Sequence, residues 1–439
     1  MHLLESAEKR VLLDCGIFRG QRDEARQRNE RFPFDPASID AVVLSHAHVD
    51  HCGNLPNLVR QGFEGPIFCT PATRDLAGIM MDDSARIQEE DAAVARVAGG
   101  GKAANADPAF FRSDAGSAVH QCVPVPYGEE VEAAPGITLR FSDAGHILGS
   151  AIVSLTVRQP GGPSRVTFTG DLGRRGLPFL PEPTQVPPAD LVICESTYGG
   201  RLHDPLERMA EKFARVVRET LARGGKVLIP AFSLGRTQLV VHFIERWMHE
   251  GKIPNVPVWI DSPLGARIAG VYGRHSGLLR VVNGPEVSPA RHVRDRDEAR
   301  EVSLSPEPCI IVASGGMCEG GRIMHHLKHH LDDPRCTIVL VSYQAPHSLG
   351  AQLLEKRPTV RFHGRTWNKW ASIVELNGFS GHADRDDFVA LLESATAGTG
   401  RIRLVHGEPA QSEALAATLK ARGFRDVAAA RRGERVEVA

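Results

Sequence analysis

Residues 45–51 read Ser45-His46-Ala47-His48-Val49-Asp50-His51. Four metal-binding side chains, His46, His48, Asp50 and His51, fall within six positions. Neutral imidazole with ionised carboxylate suits a hard-to-borderline divalent ion such as zinc. The apolar run Ala41-Val42-Val43-Leu44 just ahead reads as a buried strand. The run therefore leaves a strand end on a loop, where several side chains can turn toward one point. A solvated polar loop, or histidines packed for structure, is the bland alternative, and it loses ground because partners recur downstream. His146 stands in Asp143-Ala144-Gly145-His146-Ile147-Leu148-Gly149-Ser150. Asp171 follows the strand-like Val166-Thr167-Phe168-Thr169-Gly170, and His406 follows Leu404-Val405. Each alone reads as a cap or turn residue. Together with the first run they supply seven ligands, enough for two ions sharing one carboxylate.

The chain has 439 residues, 42% apolar and 24% charged, the composition of a soluble globular protein of two or three domains. No apolar stretch approaches a membrane span, and Met1–Arg10 lacks a secretory pattern. Eight scattered cysteines without a C-x-x-C pair read as reduced, mostly buried thiols of a cytoplasmic protein. A formal net charge of −1 excludes global attraction of a polyanion, so any contact with nucleic acid needs a local positive field.

Three regions differ in character. Residues 1–200 are a run of strands with ligand-bearing loops, plus a probable helix from Asp75 to Val97 and a loop-like patch, Gly99-Gly100-Gly101-Lys102-Ala103-Ala104-Asn105. Residues 201–368 repeat strand, polar turn and helix. The units are Lys226–Pro230 with Gly235-Arg236-Thr237, Cys309–Ala313 with Ser314-Gly315-Gly316, and Thr337–Ser342 with Tyr343-Gln344. That alternation predicts a parallel sheet with a crevice at the strand C-terminal ends. Residues 369–439 return to short strands expected to pair with the first region, so the middle block reads as an insertion into one split domain.

These residues resemble the metallo-β-lactamase superfamily along the whole chain. Leu12-Leu13-Asp14-Cys15-Gly16 looks like its first motif, the histidine run its second, Gly145-His146 its third and Gly170-Asp171 its fourth. The resemblance implies an αββα sandwich. It implies one zinc held by His46, His48 and His146, a second by Asp50, His51 and His406, and Asp171 as bridge. Asp14 would orient a ligand through a hydrogen bond. Cys194-Glu195-Ser196-Thr197-Tyr198-Gly199 looks like motif A of the β-CASP group, Phe379-Ser380-Gly381-His382-Ala383-Asp384 like motif B, and His406 like motif C in its RNA-processing form. The chain is similar to bacterial relatives of the nuclease subunit of the cleavage and polyadenylation specificity factor. The insertion then becomes a Rossmann-like β-CASP domain. Family members open with a further strand and Gly-rich loop ahead of the segment matching Met1–Leu4, so an N-terminal strand is expected to be missing and a sheet edge exposed.

The implied function is zinc-dependent hydrolysis of single-stranded RNA, mainly endonucleolytic, leaving 5′-phosphate and 3′-hydroxyl ends, with a homodimer as the family's expectation. His382 is the candidate general acid, Glu195 its orienting carboxylate, and Asp50 belongs with them in the catalytic set. Gly235-Arg236-Thr237 and Ser314-Gly315-Gly316 are expected at helix N-termini that bind phosphate, with Arg236, Arg267, Arg274 and Arg322 adding charge. The competing readings are a catalytically silent scaffold, a DNA hydrolase and a thioester hydrolase. The complete ligand set argues against the first, His406 against the second, and the long insertion with motifs A to C against the third.

Overall fold

The computed structural model describes residues 1–6, 9–18, 22–98, 107–280, 290–395 and 398–438. The glycine-rich patch at 99–105 lies outside the described residues. The chain divides into two compact units. One comprises Met1–Leu202, Gly277–Leu279 and His382–Ala439, the other His203–Ser276 and Arg280–Gly381.

In the first unit, strands β1 (His2–Ser6), β2 (Lys9–Leu13), β3 (Ala41–Val43), β4 (Ile67–Cys69) and β5 (Cys122–Pro124) form a five-stranded sheet in that order. β1 stands at its edge, antiparallel to β2, and the remaining pairs are parallel. A second sheet begins as the antiparallel meander β6 (Glu130–Ala134), β7 (Ile137–Asp143), β8 (Ala151–Val157) and β9 (Ser164–Phe168). β10 (Leu191–Glu195) then runs parallel to β9.

Side chains alternate between the faces of a strand. Val11, Leu13 and Val43 accordingly meet Leu139, Phe141, Val153, Leu155 and Phe168 in one buried cluster between the two sheets. Ile152 and Val192, on the opposite face, pack with Phe388, Leu391, Leu415 and Leu419 from helices Arg385–Leu392 and Pro409–Ala421. Leu12 and Val42, on the outer face of the first sheet, are also fully buried. The long helix expected from Asp75 runs over Pro71–Ala98 and lies against β5. Its opening proline loses nothing there, because first-turn N–H groups have no intrahelical acceptor.

The second unit carries β11 (Val227–Ala231), β12 (Val258–Asp261), β13 (Ala290–His292), β14 (Ile310–Ser314), β15 (Thr337–Leu340), a hairpin of β16 (Thr359–Phe362) and β17 (Arg365–Asn368), and β18 (Ser372–Glu375). Six of these form a parallel sheet in the order β13-β12-β14-β11-β15-β18. β11 and β14 are neighbours, yet the chain leaves β11 toward β12 and leaves β14 toward β15. The two connections therefore pass each other in opposite directions across the β11–β14 pair. The segment at 369–381 departs from expectation. β18 pairs with β15, and its Ile373 packs on the cluster of Ile338, Leu340 and Leu349, so it belongs to this unit and not to the returning domain. A four-residue strand carries too little pattern to name its sheet in advance. β19 (Arg401–Val405) then returns to pair with β10, and β20 (Val427–Ala429) closes the second sheet at that edge. Among the described residues no helix is long and apolar enough to cross a membrane. All eight cysteines are buried and unbridged.

Gly16 binds the end of β2 to the histidine loop. Cys15 N donates to His51 O at 2.8 Å and Ile17 N to Val49 O at 3.0 Å. A Cβ on Gly16 would stand 1.6 Å from Asp50 O, whereas one on Gly116, in helix Arg112–His120, meets nothing within 4 Å. Opposite signs follow for the same change. Gly116→Ala is expected to stabilise by about 0.5–1 kcal/mol, and Gly16→Ala to destabilise by more than about 2 kcal/mol. Thermal unfolding of the two variants checks this, and equal melting temperatures would refute the packing argument.

Candidate metal centre

The seven candidate ligands lie within the first unit at one edge of its two sheets. His46, His48, Asp50 and His51 follow β3, His146 follows β7, Asp171 follows β9 and His406 follows β19. These strands point the same way, so their C-terminal loops share one end of the sandwich.

Two groups of donor atoms converge there. In the first, His46 Nε2 lies 3.0 Å from His48 Nδ1, and His146 Nε2 lies 3.3 Å from the same Nδ1. Asp171 Oδ2 completes this group, 3.5 Å from His46 Nε2 and 3.6 Å from His146 Nε2. In the second, His51 Nε2 and His406 Nε2 are 3.3 Å apart, and Asp50 Oδ2 is 3.3 Å from His406 Nε2. Asp171 Oδ1 faces this group, 3.4 Å from His51 Nε2 and 3.4 Å from His406 Nδ1. The two oxygens of one buried carboxylate thus look into two different rings of nitrogens.

The electrostatics suit a cation. Asp171 Oδ1 is buried and accepts no hydrogen bond within the described residues. Burial, with the neighbouring imidazoles, holds His46 well below its ordinary value, and burial brings His48 down to about 4. Those rings are neutral and offer lone pairs, as metal coordination requires. At the second group the Asp171 charge outweighs burial and raises His406 to about 10. A site that draws a proton onto an imidazole this strongly is short of positive charge. An orphaned anionic oxygen among converging imidazoles fits a divalent metal ion.

Supporting groups fix the ligands. Asp14 Oδ2 accepts from His51 Nδ1 at 2.6 Å, which turns Nε2 toward the site. The same carboxylate accepts from Ser45 N and Ser45 Oγ, each at 2.7 Å, and Ser45 Oγ stands 3.0 Å from His46 Nδ1. Thr197 Oγ1 lies 3.2 Å from His406 Nδ1. Sequence reasoning gave no role to Ser45 or Thr197, although each sits inside a quoted motif beside a ligand or acid. Asp14 and His406 both adopt left-handed backbone, with φ of 56° and 61°. Non-glycine residues rarely do so without a surrounding structure that holds them.

Beside the first group, His382 Nδ1 lies 3.0 Å from Glu195 Oε1. Glu195 is fully buried and accepts from Leu172 N at 2.8 Å and Thr197 N at 3.0 Å. Burial would raise its carboxyl, but the His382 imidazole and these donors bring it down to about 2. Burial would lower His382, yet the Glu195 carboxylate raises it above its ordinary value. The two behave as a buried ion pair whose imidazole is 18% exposed.

The candidate phosphate-binding segments lie in the second unit, and two of them differ from expectation. Helix Arg236–His249 does open after Gly235, but its first donors are spent. Gly235 N donates to Gln238 Oε1, Arg236 N to Leu234 O and Thr237 N to Phe232 O. Arg236 itself is half-buried, with Nη1 closed off from solvent. Ser314-Gly315-Gly316 is not at a helix N-terminus, because the next helix opens only at Ile323. Gly315, at φ 112°, folds the loop back so closely that a Cβ would meet Gly320 O at 2.0 Å. Arg267 and Arg274 are exposed on helix Pro263–Arg274, and Arg322 is partly buried beside Asp261.

Comparison with known proteins finds three matched segments, the last of which begins at 370, ahead of the boundary at Gly381 that the contacts give. Residues 1–206 match the metallo-beta-lactamase superfamily, 237–353 the Beta-Casp domain, and 370–430 the Zn-dependent metallo-hydrolase RNA specificity domain. Ribonuclease TTHA0252 of Thermus thermophilus is 38% identical over 446 aligned positions, covering 100% of this chain and 96% of that protein. Transcription termination factor FttA of Methanococcus maripaludis is 34% identical over 433 positions, covering 94% of this chain and 66% of the factor. FttA of Methanocaldococcus jannaschii is 32% identical over 435 positions, with 95% and 66% covered. With one relative aligned along essentially the whole of both molecules, the chain belongs to the β-CASP group of the metallo-β-lactamase superfamily and is a metal-dependent hydrolase.

Proposed function

We propose that this hydrolase is a two-zinc ribonuclease that cuts single-stranded RNA, mainly endonucleolytically, leaving 5′-phosphate and 3′-hydroxyl ends. The observation that carries the reading is the pair of donor groups meeting at Asp171, with His382 and Glu195 alongside. The similarity to a named ribonuclease over the full chain supports RNA as substrate.

His46, His48, His146 and Asp171 would hold one ion, and Asp50, His51, His406 and Asp171 the other. Imidazole and carboxylate without thiolate suit zinc. When bound, the ions supply an activated water and neutralise charge developing on the phosphoryl oxygens. The protein's own residues do the rest. Asp14 fixes the His51 tautomer, so that Nε2 carries the lone pair. Ser45 and Thr197 restrain His46 and His406. Glu195 accepts from His382 Nδ1 and stabilises the imidazolium, leaving Nε2–H to protonate the departing 3′-oxygen. Cleavage of single-stranded RNA by metal-loaded protein, with matched DNA as comparison and end-group analysis of the products, tests the whole reading. DNA cut as readily as RNA, or 3′-phosphate products, would overturn it.

Two predictions separate the roles. Elemental analysis of active protein is expected to give close to two zinc ions per chain, and His48→Ala to lose metal and activity together. Active protein without zinc would refute the metal assignment. His382→Ala is expected to keep its metal yet cut about 10²–10⁴-fold more slowly. Metal loss in that variant would show that His382 is itself a ligand, and unchanged turnover would remove it from the reaction.

A further inference from the structure

The C-terminal ends of β12 and β14 in the second unit hold a chain of buried groups that the chemistry above does not use. Asp261, at the end of β12, is fully buried. Its Oδ2 lies 2.9 Å from His326 Nε2, and His326 Nδ1 lies 2.8 Å from Ser303 Oγ. His326 and Ser303 are buried as well. The other carboxylate oxygen, Oδ1, lies 3.1 Å from Arg322 Nε. Arg322 is also fixed at its main chain, where N–H donates to Ser314 Oγ at 3.2 Å, at the end of β14. This arginine therefore spans two strand ends, with 21% of its side chain exposed. Among the described residues its Nη1 and Nη2 donate no hydrogen bond.

The order of donors explains the arrangement. Ser303 O–H donating to His326 Nδ1 leaves the ring hydrogen on Nε2, which donates to Asp261. A buried carboxylate is costly unless paired, and here its second oxygen meets the guanidinium. A guanidinium has two usable edges. Asp261 Oδ1 stands on the Nε side at ion-pair distance, without accepting a hydrogen bond, and the Nη1–Nη2 edge remains, the one that matches two oxygens of a phosphodiester. The main-chain donors of Gly235 to Thr237 are already engaged, so they do not compete with this side chain for a phosphate.

We infer that Asp261, backed by His326, is a positioning residue that holds Arg322 so that its Nη edge grips a backbone phosphate of the RNA strand. This rests on the RNA reading given above. The test uses the full-length, zinc-loaded protein, a short single-stranded RNA, and the variants Asp261→Asn, Arg322→Gln and the two combined. Each single change is expected to raise KM about ten- to a hundredfold, with kcat far less affected and zinc content intact. The double variant is expected to be no worse than Arg322→Gln alone, because both act through one contact. The salt dependence of RNA binding should fall by the share of one phosphate, about 0.7 in log–log slope. Arg322→Lys keeps the charge and leaves Asp261, His326 and Ser303 in sequence unchanged, and decides the matter should Asp261→Asn fail to fold. Lysine has no Nε edge for Asp261 to hold, so KM should stay raised. A native KM in Arg322→Lys, or an Asp261→Asn effect undiminished in the Arg322→Gln background, overturns this inference alone. Absence of RNA cleavage by the unaltered protein overturns the RNA reading, and the inference with it.

Discussion

The first unit is organised around one carboxylate. Asp171 is buried where β9 ends, and each of its oxygens serves a different ring of histidines. Two sheets are needed for this, since β3 comes from one and β7, β9 and β19 from the other. The core between them sets the register. Alternation along the strands places Phe141, Val153 and Phe168 inward, and a slip of one residue would turn every side chain of a strand to the other face. The same packing that buries the apolar residues therefore decides whether the ligand-bearing loops meet.

The two units put buried carboxylates at strand ends to different ends. Asp261 meets cations and donors that the protein itself supplies, Arg322 and His326. Neither Asp261 Oδ1 nor Asp171 Oδ1 accepts a hydrogen bond among the described residues, but Asp261 Oδ1 has a guanidinium 3.1 Å away, whereas Asp171 meets only imidazoles whose ring nitrogens converge with its oxygens. One arrangement is internally neutralised and holds a side chain in place. The other asks for an external cation.

Much of this was legible from residue order. The dense histidine run, the strand-end candidates His146, Asp171 and His406, and Glu195 with His382 could be named from sequence, and the structure brings their side chains together. The alternation of strand and helix announced the parallel sheet. Other features were closed to sequence reasoning for physical reasons. A glycine at a helix start advertises free N–H groups, but their acceptors, Gln238 Oε1 and the carbonyls of Leu234 and Phe232, become visible only in three dimensions. Ser45 and Thr197 are hydroxyl residues in a chain full of them, and only distance to a ring nitrogen sets them apart. The left-handed backbone of Asp14 and His406 leaves no mark, since neither residue is glycine.

The ligand set is also divided in time. His51 and His406 lie 3.3 Å apart in space but 355 residues apart in sequence, and the whole second unit is threaded between them. A ribosome releases the first six candidate ligands early, then the inserted sheet, then His382, and only afterwards the seventh candidate, His406. Throughout that interval β10 lacks its partner β19, so the edge that completes the second sheet is still unmade. A nascent chain therefore carries only part of the converging donor set until β19 has been made and paired with β10.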